Sequence, residues 1–258
     1  FGHAGQDALS ELMRRRGGFE HNAQCLRVLE KLEESYAAFP GLNLTFEVRE
    51  GLNKHSPKRV RFLEAEVVDY ADSIAYNGHD LDDGLRAGLI DHNALARVKL
   101  WRDVHRYIQK KSPKASPGIK VKMAIRLLIN RMVNDLVGET AKNLKRYAIK
   151  NPKDCSRLKT PVVQFSKGLD SKVAELKLFL TDYLYNHYRV VRMTEKGKRF
   201  IQDLFRLYVA KPEQLPPHIR RRVRDDGLHR AVCDYIAGMT DRFALDEYNR
   251  LFSPYERV

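Results

Sequence analysis

Two carboxylates and a phenol follow one another at four-residue intervals in the segment VVDYADSIAYNGHDLDDGL, and they are Asp72, Tyr76 and Asp80. Successive four-residue steps drift by only about 40° around a helix, so the three side chains share one stripe. Buried carboxylates are costly unless they are paired or bind a metal. The stripe therefore predicts a metal ligand, then a hydroxyl, then a hydrogen-bond acceptor along a substrate wall. The alternative is a solvated acidic face, because three more aspartates lie nearby: Asp69, Asp82 and Asp83.

Two histidines and a glutamine form a second candidate cluster near the beginning of the sequence. His3 and Gln6 flank the start of a predicted helix, and His21 follows a pair of glycines. The free N–H groups at a helix start can bind an anion. A histidine could protonate a leaving oxygen or position a water molecule there. The alternative is a pair of surface or capping histidines.

Apolar periodicity predicts that helices position both clusters and that the chain is all-α. The longest predicted helices cover 62–90 and 119–147, although Gly78 and Gly84 weaken the first of them. Two Ser-Pro steps mark a loop over 110–120, and the runs PVVQFS (161–166) and RVVRM (189–193) are predicted to be extended. Neither a βαβ alternation nor a glycine-rich phosphate loop occurs. The other predicted helices are 6–16, 19–36, 45–55, 94–110, 172–188, 196–209, 218–224, 228–238 and 241–251.

Composition and charge narrow the class of protein. The 258 residues are 43% hydrophobic and 9% aromatic, which is typical of a globular protein with a large core. No apolar run approaches 18 residues and no secretory signal is visible, so we expect no membrane span. Three scattered cysteines favour a reducing cytoplasm over a disulfide framework. The net charge of +14 favours polyanionic partners, although a solvated basic surface would carry the same charge.

Five blocks of the sequence occur in an order that resembles one family. They are FGHAGQDALSELM, GGFEHNAQCLRVLE, FPGLNLTFEVREGLNKH, ADSIAYNGHDLDDGLRAGLI and DYIAGMTDRFAL. The blocks resemble the deoxyguanosinetriphosphate triphosphohydrolase-like proteins, a branch of the HD-domain phosphohydrolases. The resemblance implies an all-helical HD fold, with a catalytic domain over 1–150 and a C-terminal helical region over 151–258 packed on it. It also implies hydrolysis of a deoxynucleoside triphosphate, with dGTP as the expected substrate, to the deoxynucleoside and tripolyphosphate.

The same resemblance implies roles for individual residues. Asp72 matches a ligand of a divalent metal, which would be Mg, Mn or another transition metal. Tyr76 and Asp80 match residues that contact the deoxyribose and its 3′-hydroxyl, where a ribonucleotide would be crowded. His3 matches the catalytic histidine and His21 matches a second active-site histidine.

The sequence departs from the family pattern at two points. The family's first metal-binding histidine and its His-Asp dyad are not found, and the position of His79-Asp80 on the helix assigns its aspartate to the sugar instead. Because one aspartate cannot hold a catalytic metal and the match begins in the middle of a motif, we expect further residues before Phe1; the alternative is a chain that has lost its metal chemistry. A second join is expected near 56–61, where the sequence passes abruptly from GLNKHS to PKRVRFLEAE. In addition, Gln6 occupies a place where many relatives carry an acid, and an amide can orient a histidine but cannot accept its proton.

Basic residues are predicted to contact the triphosphate, with ordinary surface charge or helix pairing as the alternative. The candidates are Lys54 and His55 in EGLNKH and Arg126 and Arg131 in IRLLINRMVND.

Two other functions fit the same residues. One is a related HD phosphodiesterase or nucleotidase. The other is a catalytically impaired regulator that binds nucleotides or single-stranded nucleic acid through the basic loop 110–120 and the run RRRVR (220–224). Since relatives respond to nucleotide or single-stranded DNA effectors and form oligomers, the resemblance also implies an effector and a homo-oligomer.

Overall fold

The computed structural model describes residues 1–53, 62–158 and 160–256. Within these ranges the regular elements are helical and no strand occurs, which confirms the predicted all-α class. π-Helical segments continue two of the helices, at Val28–Leu32 and Thr181–Tyr185, and Pro212–Gln214 is a 3₁₀ turn. The α-helices are α1 (Gly2–Leu12), α2 (His21–Arg27), α3 (Phe46–Leu52), α4 (Leu63–Arg86), α5 (His92–Leu95), α6 (Lys99–Lys111), α7 (Pro117–Arg146), α8 (Pro152–Ser156), α9 (Lys167–Leu180), α10 (Tyr188–Ala210), α11 (Pro217–Asp226), α12 (Leu228–Ala237) and α13 (Asp241–Phe252).

The chain divides into two compact units. The first unit combines Phe1–Leu44 with Val191–Val258, and the second unit is Thr45–Val190. The units are defined by packing within the chain, and their bounds differ from those of the domains expected from the sequence, 1–150 and 151–258. The division into those two domains stays a prediction. None of the helices in the described ranges combines the length and the apolarity that crossing a membrane requires.

The core of the second unit forms where α4, α6, α7 and α9 pack together. In α4, Ile74 and Leu81 are buried seven residues apart, as the helical period requires. Acidic residues in the first turn of α4 and Arg86 in its last turn suit the helix dipole. Not every apolar residue of the predicted helix 119–147 is buried, since Val137 of α7 is 63% exposed. The other core side chains include Trp101, Val104, Leu128, Met132 and Leu176.

α4 runs unbroken through Gly78 and Gly84, where the sequence predicted a weakened rod. A Cβ atom on Gly78 would lie 2.8 Å from Cδ1 of Ile129, and one on Gly84 would lie 2.5 Å from Cδ1 of Ile90. Carbon atoms do not approach so closely, so a larger residue at either position would push these isoleucines away. The glycines therefore trade helix propensity for close packing around the part of α4 that carries Tyr76 and Asp80.

The core of the first unit is formed by α1 and α10–α13. Leu9 of α1, Leu204 of α10 and Val232 of α12 are almost completely buried. The hydroxyl of Tyr208, also fully buried, donates a hydrogen bond to Glu247 of α13, which satisfies the one polar atom of that side chain. The core therefore fixes α1, which carries His3 and Gln6.

The two runs that were predicted to be extended are not strands. RVVRM (189–193) lies inside α10, because valines lower helix propensity only slightly and the helix satisfies their backbone groups. In PVVQFS (161–166), the backbone N–H groups of Val162 and Val163 donate to Glu66 at 2.9 and 3.0 Å, so side chains replace a neighbouring strand. The N–H of Ser166 likewise donates to Asp135 at 2.8 Å.

The close packing at Gly78 can be tested against a matched glycine on a neighbouring helix. Gly138 lies within α7, and a Cβ there would meet nothing within 4 Å. We expect Gly138→Ala to stabilise the protein by about 0.5–1 kcal/mol through helix propensity. Gly78→Ala should lower the free energy of unfolding by about 1–2 kcal/mol, because overpacking exceeds that gain. Urea unfolding measures both values, and equal stabilisation by the two substitutions would contradict the packing argument.

Candidate functional site

His3, Gln6 and His21 are brought together by the turn between α1 and α2. His3 and Gln6 lie on α1, and His21 is the first residue of α2. The turn contains Gly17 and Gly18 with φ of +90° and +71°, a left-handed conformation that glycine adopts without strain. The centroids of the His3 and His21 imidazole rings lie 6.4 Å apart, and the two rings meet edge to face.

Gln6 and Glu20 fix the hydrogen-bonding state of His21. Oε1 of Gln6 accepts a hydrogen bond from the backbone N–H of His21 at 3.1 Å. Because that N–H can only donate, the oxygen of the Gln6 amide, and not its nitrogen, must face His21. The same oxygen lies 2.5 Å from Nδ1 of His21, so Nδ1 must carry a hydrogen in order to donate. A carboxylate oxygen of Glu20 lies 3.1 Å from the same nitrogen. Both acceptors therefore favour hydrogen on Nδ1, which leaves the basic lone pair on Nε2.

The helix that Glu20 caps lowers the pKa of its carboxyl group. Burial would raise the pKa of this carboxyl group, but the N–H groups of Asn22 and Ala23 donate to it and the protonated form of His21 adds positive charge, so the pKa is lowered overall. The two backbone bonds are 3.0 and 2.9 Å long. The N-cap that starts α2 thus also supplies a carboxylate to His21.

A buried ion-pair network anchors α2 behind His21. The guanidinium of Arg27 donates to Asp234 of α12 at 2.7–3.0 Å, and the amide of Gln24 donates to the same carboxylate at 3.0 Å. Arg27 also pairs with Asp226 at 3.0 Å. Nη2 of Arg230 donates to the carbonyl of Gly18 at 2.8 Å, which holds the turn itself. The position of His21 therefore depends on charged groups more than 200 residues away in sequence.

The second predicted cluster lies on α4, where the stripe of Asp72, Tyr76 and Asp80 is helical as expected. Asp72 and Tyr76 are exposed, and Asp80 is half-buried. Eight residues of helix separate the two aspartates by about 12 Å, so Asp72 and Asp80 cannot bind one metal ion together.

Tyr185 is a member of this cluster that the sequence did not reveal. Its hydroxyl donates a hydrogen bond to Asp80, and its ring lies 5.9 Å from that of Tyr76. Burial raises the pKa of Tyr185, and the hydrogen bond to Asp80 raises it further, so the phenol remains a donor. It ends the π-helical segment Thr181–Tyr185, a geometry that often occurs at functional sites. Nothing in a single sequence pairs it with a residue 105 positions earlier.

Each unit contains a cavity on the helices that carry its cluster, although none of the predicted site residues that the structure describes lines either cavity. The first, of about 510 Å³, lies beside the α1–α2 turn and is lined in part by Glu20 and Arg230. The second, of about 300 Å³, lies between α4 and α9 and is lined in part by Ser73, Asp170 and Lys177. Cavities of this size accommodate small ligands rather than macromolecules.

Two of the four predicted phosphate contacts lie on α7. The other two, Lys54 and His55, lie outside the described residues. Arg126 is exposed on α7, whereas Arg131 packs its guanidinium 5.9 Å from the centre of the Tyr107 ring. Five residues of helix turn through about 140°, so the two arginines point in different directions.

The predicted metal centre is not complete within the part of the chain that the structure describes. No three His, Cys, Asp or Glu side chains there lie close enough together to hold a metal ion. Asp72 alone does not fit a catalytic divalent ion, which needs several protein ligands.

Comparisons with known proteins identify the family. A model described as a phosphohydrolase-associated domain matches residues 163–250. The deoxyguanosinetriphosphate triphosphohydrolase-like protein of Geobacter metallireducens is 46% identical over 272 residues, covering 100% of this chain and 71% of the relative. Proteins of the same name from Geobacter sulfurreducens and Azoarcus sp. are 44% and 42% identical, covering 100% and 98% of this chain and 71% and 70% of the relatives. The protein is therefore related to phosphohydrolases. It belongs to the deoxyguanosinetriphosphate triphosphohydrolase-like family of HD-domain phosphohydrolases.

The hydrogen bond between Gln6 and His21 yields a prediction about tautomers. We expect Gln6→Met to lower the fraction of His21 with hydrogen on Nδ1, because an acceptor is lost. Gln6→Glu, which keeps an acceptor, should retain the tautomer. Nitrogen NMR of the imidazole measures the tautomer directly. Gln214→Met, an exposed position, is the control, and an unchanged tautomer in Gln6→Met would show that Gln6 does not orient His21.

Proposed function

We propose that the protein is a metal-dependent deoxynucleoside triphosphohydrolase that converts a dNTP, with dGTP as the expected substrate, and water into a deoxynucleoside and tripolyphosphate. The observation that carries this proposal is the group of His3, Gln6 and His21, in which hydrogen bonds set one imidazole for proton transfer. Membership of a family whose relatives are named for this activity supports the choice of substrate.

The reaction requires proton transfers that this group could perform. Water attacks the α-phosphorus, the bond from that phosphorus to the 5′-oxygen breaks, and the leaving oxygen must gain a proton. In the proposal His3 assists this transfer, while His21, oriented by Gln6 and Glu20, accepts a hydrogen bond from the attacking water at its Nε2.

The sugar would be recognised on α4. Asp80 can accept a hydrogen bond from the 3′-hydroxyl, and Tyr76 can pack against the ribose ring. Tyr185 supports both, because it donates to Asp80 and packs beside Tyr76. A carboxylate held in place by a partly buried phenol cannot easily move aside for an additional 2′-hydroxyl. This arrangement supports a preference for deoxyribose.

The divalent metal stays a proposal about the whole enzyme. HD phosphohydrolases generally depend on a divalent metal, which polarises the phosphate and activates water when bound. Asp72 would supply one ligand, and the described residues do not supply the others. No step assigned here to the histidines or to the sugar contacts runs through the metal.

The residues that would bind the tripolyphosphate, the effector and the oligomeric state are further parts of the proposal. Lys54, His55, Arg126 and Arg131 are proposed to neutralise the tripolyphosphate. A nucleotide or single-stranded DNA effector and a homo-oligomer follow from the resemblance and from the basic segments of the sequence.

The proposed reaction is tested by identifying its products. Phosphorus NMR of the enzyme with dGTP and a divalent metal should show tripolyphosphate and no orthophosphate, and hydrolysis of GTP should be at least about tenfold slower because of the 2′-hydroxyl. Orthophosphate or a nucleoside monophosphate would instead indicate an HD nucleotidase or phosphodiesterase. Binding without turnover, with a steep dependence on salt, would indicate a nucleic-acid-binding regulator.

The sugar contact is tested in the same assay by Asp80→Asn. This substitution should reduce kcat/KM for dGTP about tenfold or more, since a charged acceptor is lost. Asp83→Asn, on the exposed side of the same helix, should leave kcat/KM unchanged. Equal effects of the two substitutions would contradict a role for Asp80 in binding the sugar.

A further inference from the structure

A second cavity of the first unit lies apart from the residues assigned to catalysis. It measures about 560 Å³ and forms where the end of α1 meets α10 and the start of α12. Neither His3, Gln6 nor His21 lines it. The cavity therefore needs an explanation that does not depend on the proposed reaction.

The rim of the cavity is strongly basic. Arg14, Arg15 and Arg16 follow α1 in sequence, and Arg206 of α10 joins them. Among the described residues, no carboxylate forms an ion pair with any of the three consecutive arginines, and all three are exposed. The acidic groups nearby are few: Glu11 lines the cavity, and Asp203 lies 3.6 Å from Arg206. The cations thus outnumber the anions around one concave surface.

The floor of the cavity is apolar and aromatic. Phe205, which is 4% exposed, is joined there by Leu12 and Val209. The imidazole of His229 lies 6.3 Å from the Phe205 ring. Burial lowers the pKa of His229, and the positive charge of Arg16 lowers it further. His229 therefore experiences the positive field that an anion in this cavity would also experience.

From this cavity we infer a binding site for a short phosphate chain, either inorganic tripolyphosphate or the triphosphate of a nucleotide. Arginines bind phosphate oxygens in bidentate fashion, and three that are not engaged by carboxylates retain that capacity. The volume falls within the range of small-ligand pockets. A nucleotide could in addition place its base against the partly exposed ring of His229.

The arrangement favours a small ligand over single-stranded nucleic acid. Strand-binding proteins line an extended groove with cations and interleave aromatic side chains along it. Here the cations surround one cavity, and the aromatic side chains are confined to its floor. Binding of an oligonucleotide is therefore the competing outcome of the test.

The test uses inorganic tripolyphosphate as the probe, with EDTA present and ionic strength held constant. Calorimetry measures the affinity, and the ring proton signal of His229, assigned with His229→Gln, reports on this cavity specifically. We expect a saturable shift of that signal. Arg14→Ala/Arg16→Ala should weaken the binding that it reports at least about tenfold, because charge-assisted hydrogen bonds are lost.

Two sets of controls separate this site from bulk charge and from the proposed reaction. Arg221→Ala/Arg224→Ala removes the same charge from exposed positions on α11 and should change the affinity less than about twofold. His21→Ala, whatever it does to turnover, should leave the His229 shift intact.

The titrations also distinguish the two sources of the phosphate chain. Tighter binding of dGTP than of tripolyphosphate would identify a nucleotide that also uses the aromatic floor, and equal affinities would identify the phosphate chain alone. The inference is overturned if both arginine pairs weaken binding equally, or if the His229 signal does not move. It is also overturned if a single-stranded oligonucleotide binds more tightly than tripolyphosphate and loses affinity in the Arg14→Ala/Arg16→Ala protein.

Discussion

The carboxylate of Asp234, whose side chain is 3% exposed, must be neutralised where it lies. An unpaired charge at that depth would cost several kcal/mol, and the guanidinium of Arg27 and the amide of Gln24 offset this cost. Both partners belong to α2, so the requirement to pair one carboxylate of α12 sets where α2 lies. Asp226 strengthens the arrangement. Burial would raise the pKa of that carboxyl group, but Lys31 and Arg27 hold it below its ordinary value.

The position of α2 then determines the environment of His21. Glu20 caps the helix, Gly17 and Gly18 turn the chain back from α1, and Gln6 meets the imidazole that begins α2. On α4, a comparable role falls to Tyr185, which holds Asp80 through one hydrogen bond. In both units the side chains proposed to act on substrate are exposed or half-buried, and His21 and Asp80 among them are each held by a hydrogen-bonding partner. Function in this family member is thus proposed to rest on pairs that join distant parts of the sequence.

The sequence predicts the helical class and the stripe on α4 because both follow from local periodicity. It also predicts the grouping of His3, Gln6 and His21 within one region, because a short turn joins their helices. It does not predict Tyr185 or Asp234, since their partners lie 105 and 207 positions away and only folding joins them. RVVRM was predicted to be extended because local valine content outweighed the long helix that encloses it. Lys54 and His55 lie outside the described residues, and the metal ligands beyond Asp72 are not among the described side chains.

The most direct measurement is the effect of Asp234→Asn on both stability and His21. The substitution keeps the shape of the side chain but removes its charge, so the account predicts a loss of about 3 kcal/mol in the free energy of unfolding. Since α2 would lose its anchor, nitrogen NMR should also show a smaller fraction of His21 with hydrogen on Nδ1. Asp246→Asn, at an exposed position of α13, should change neither quantity. An Asp234→Asn protein with unchanged stability and an unchanged His21 tautomer would contradict the account.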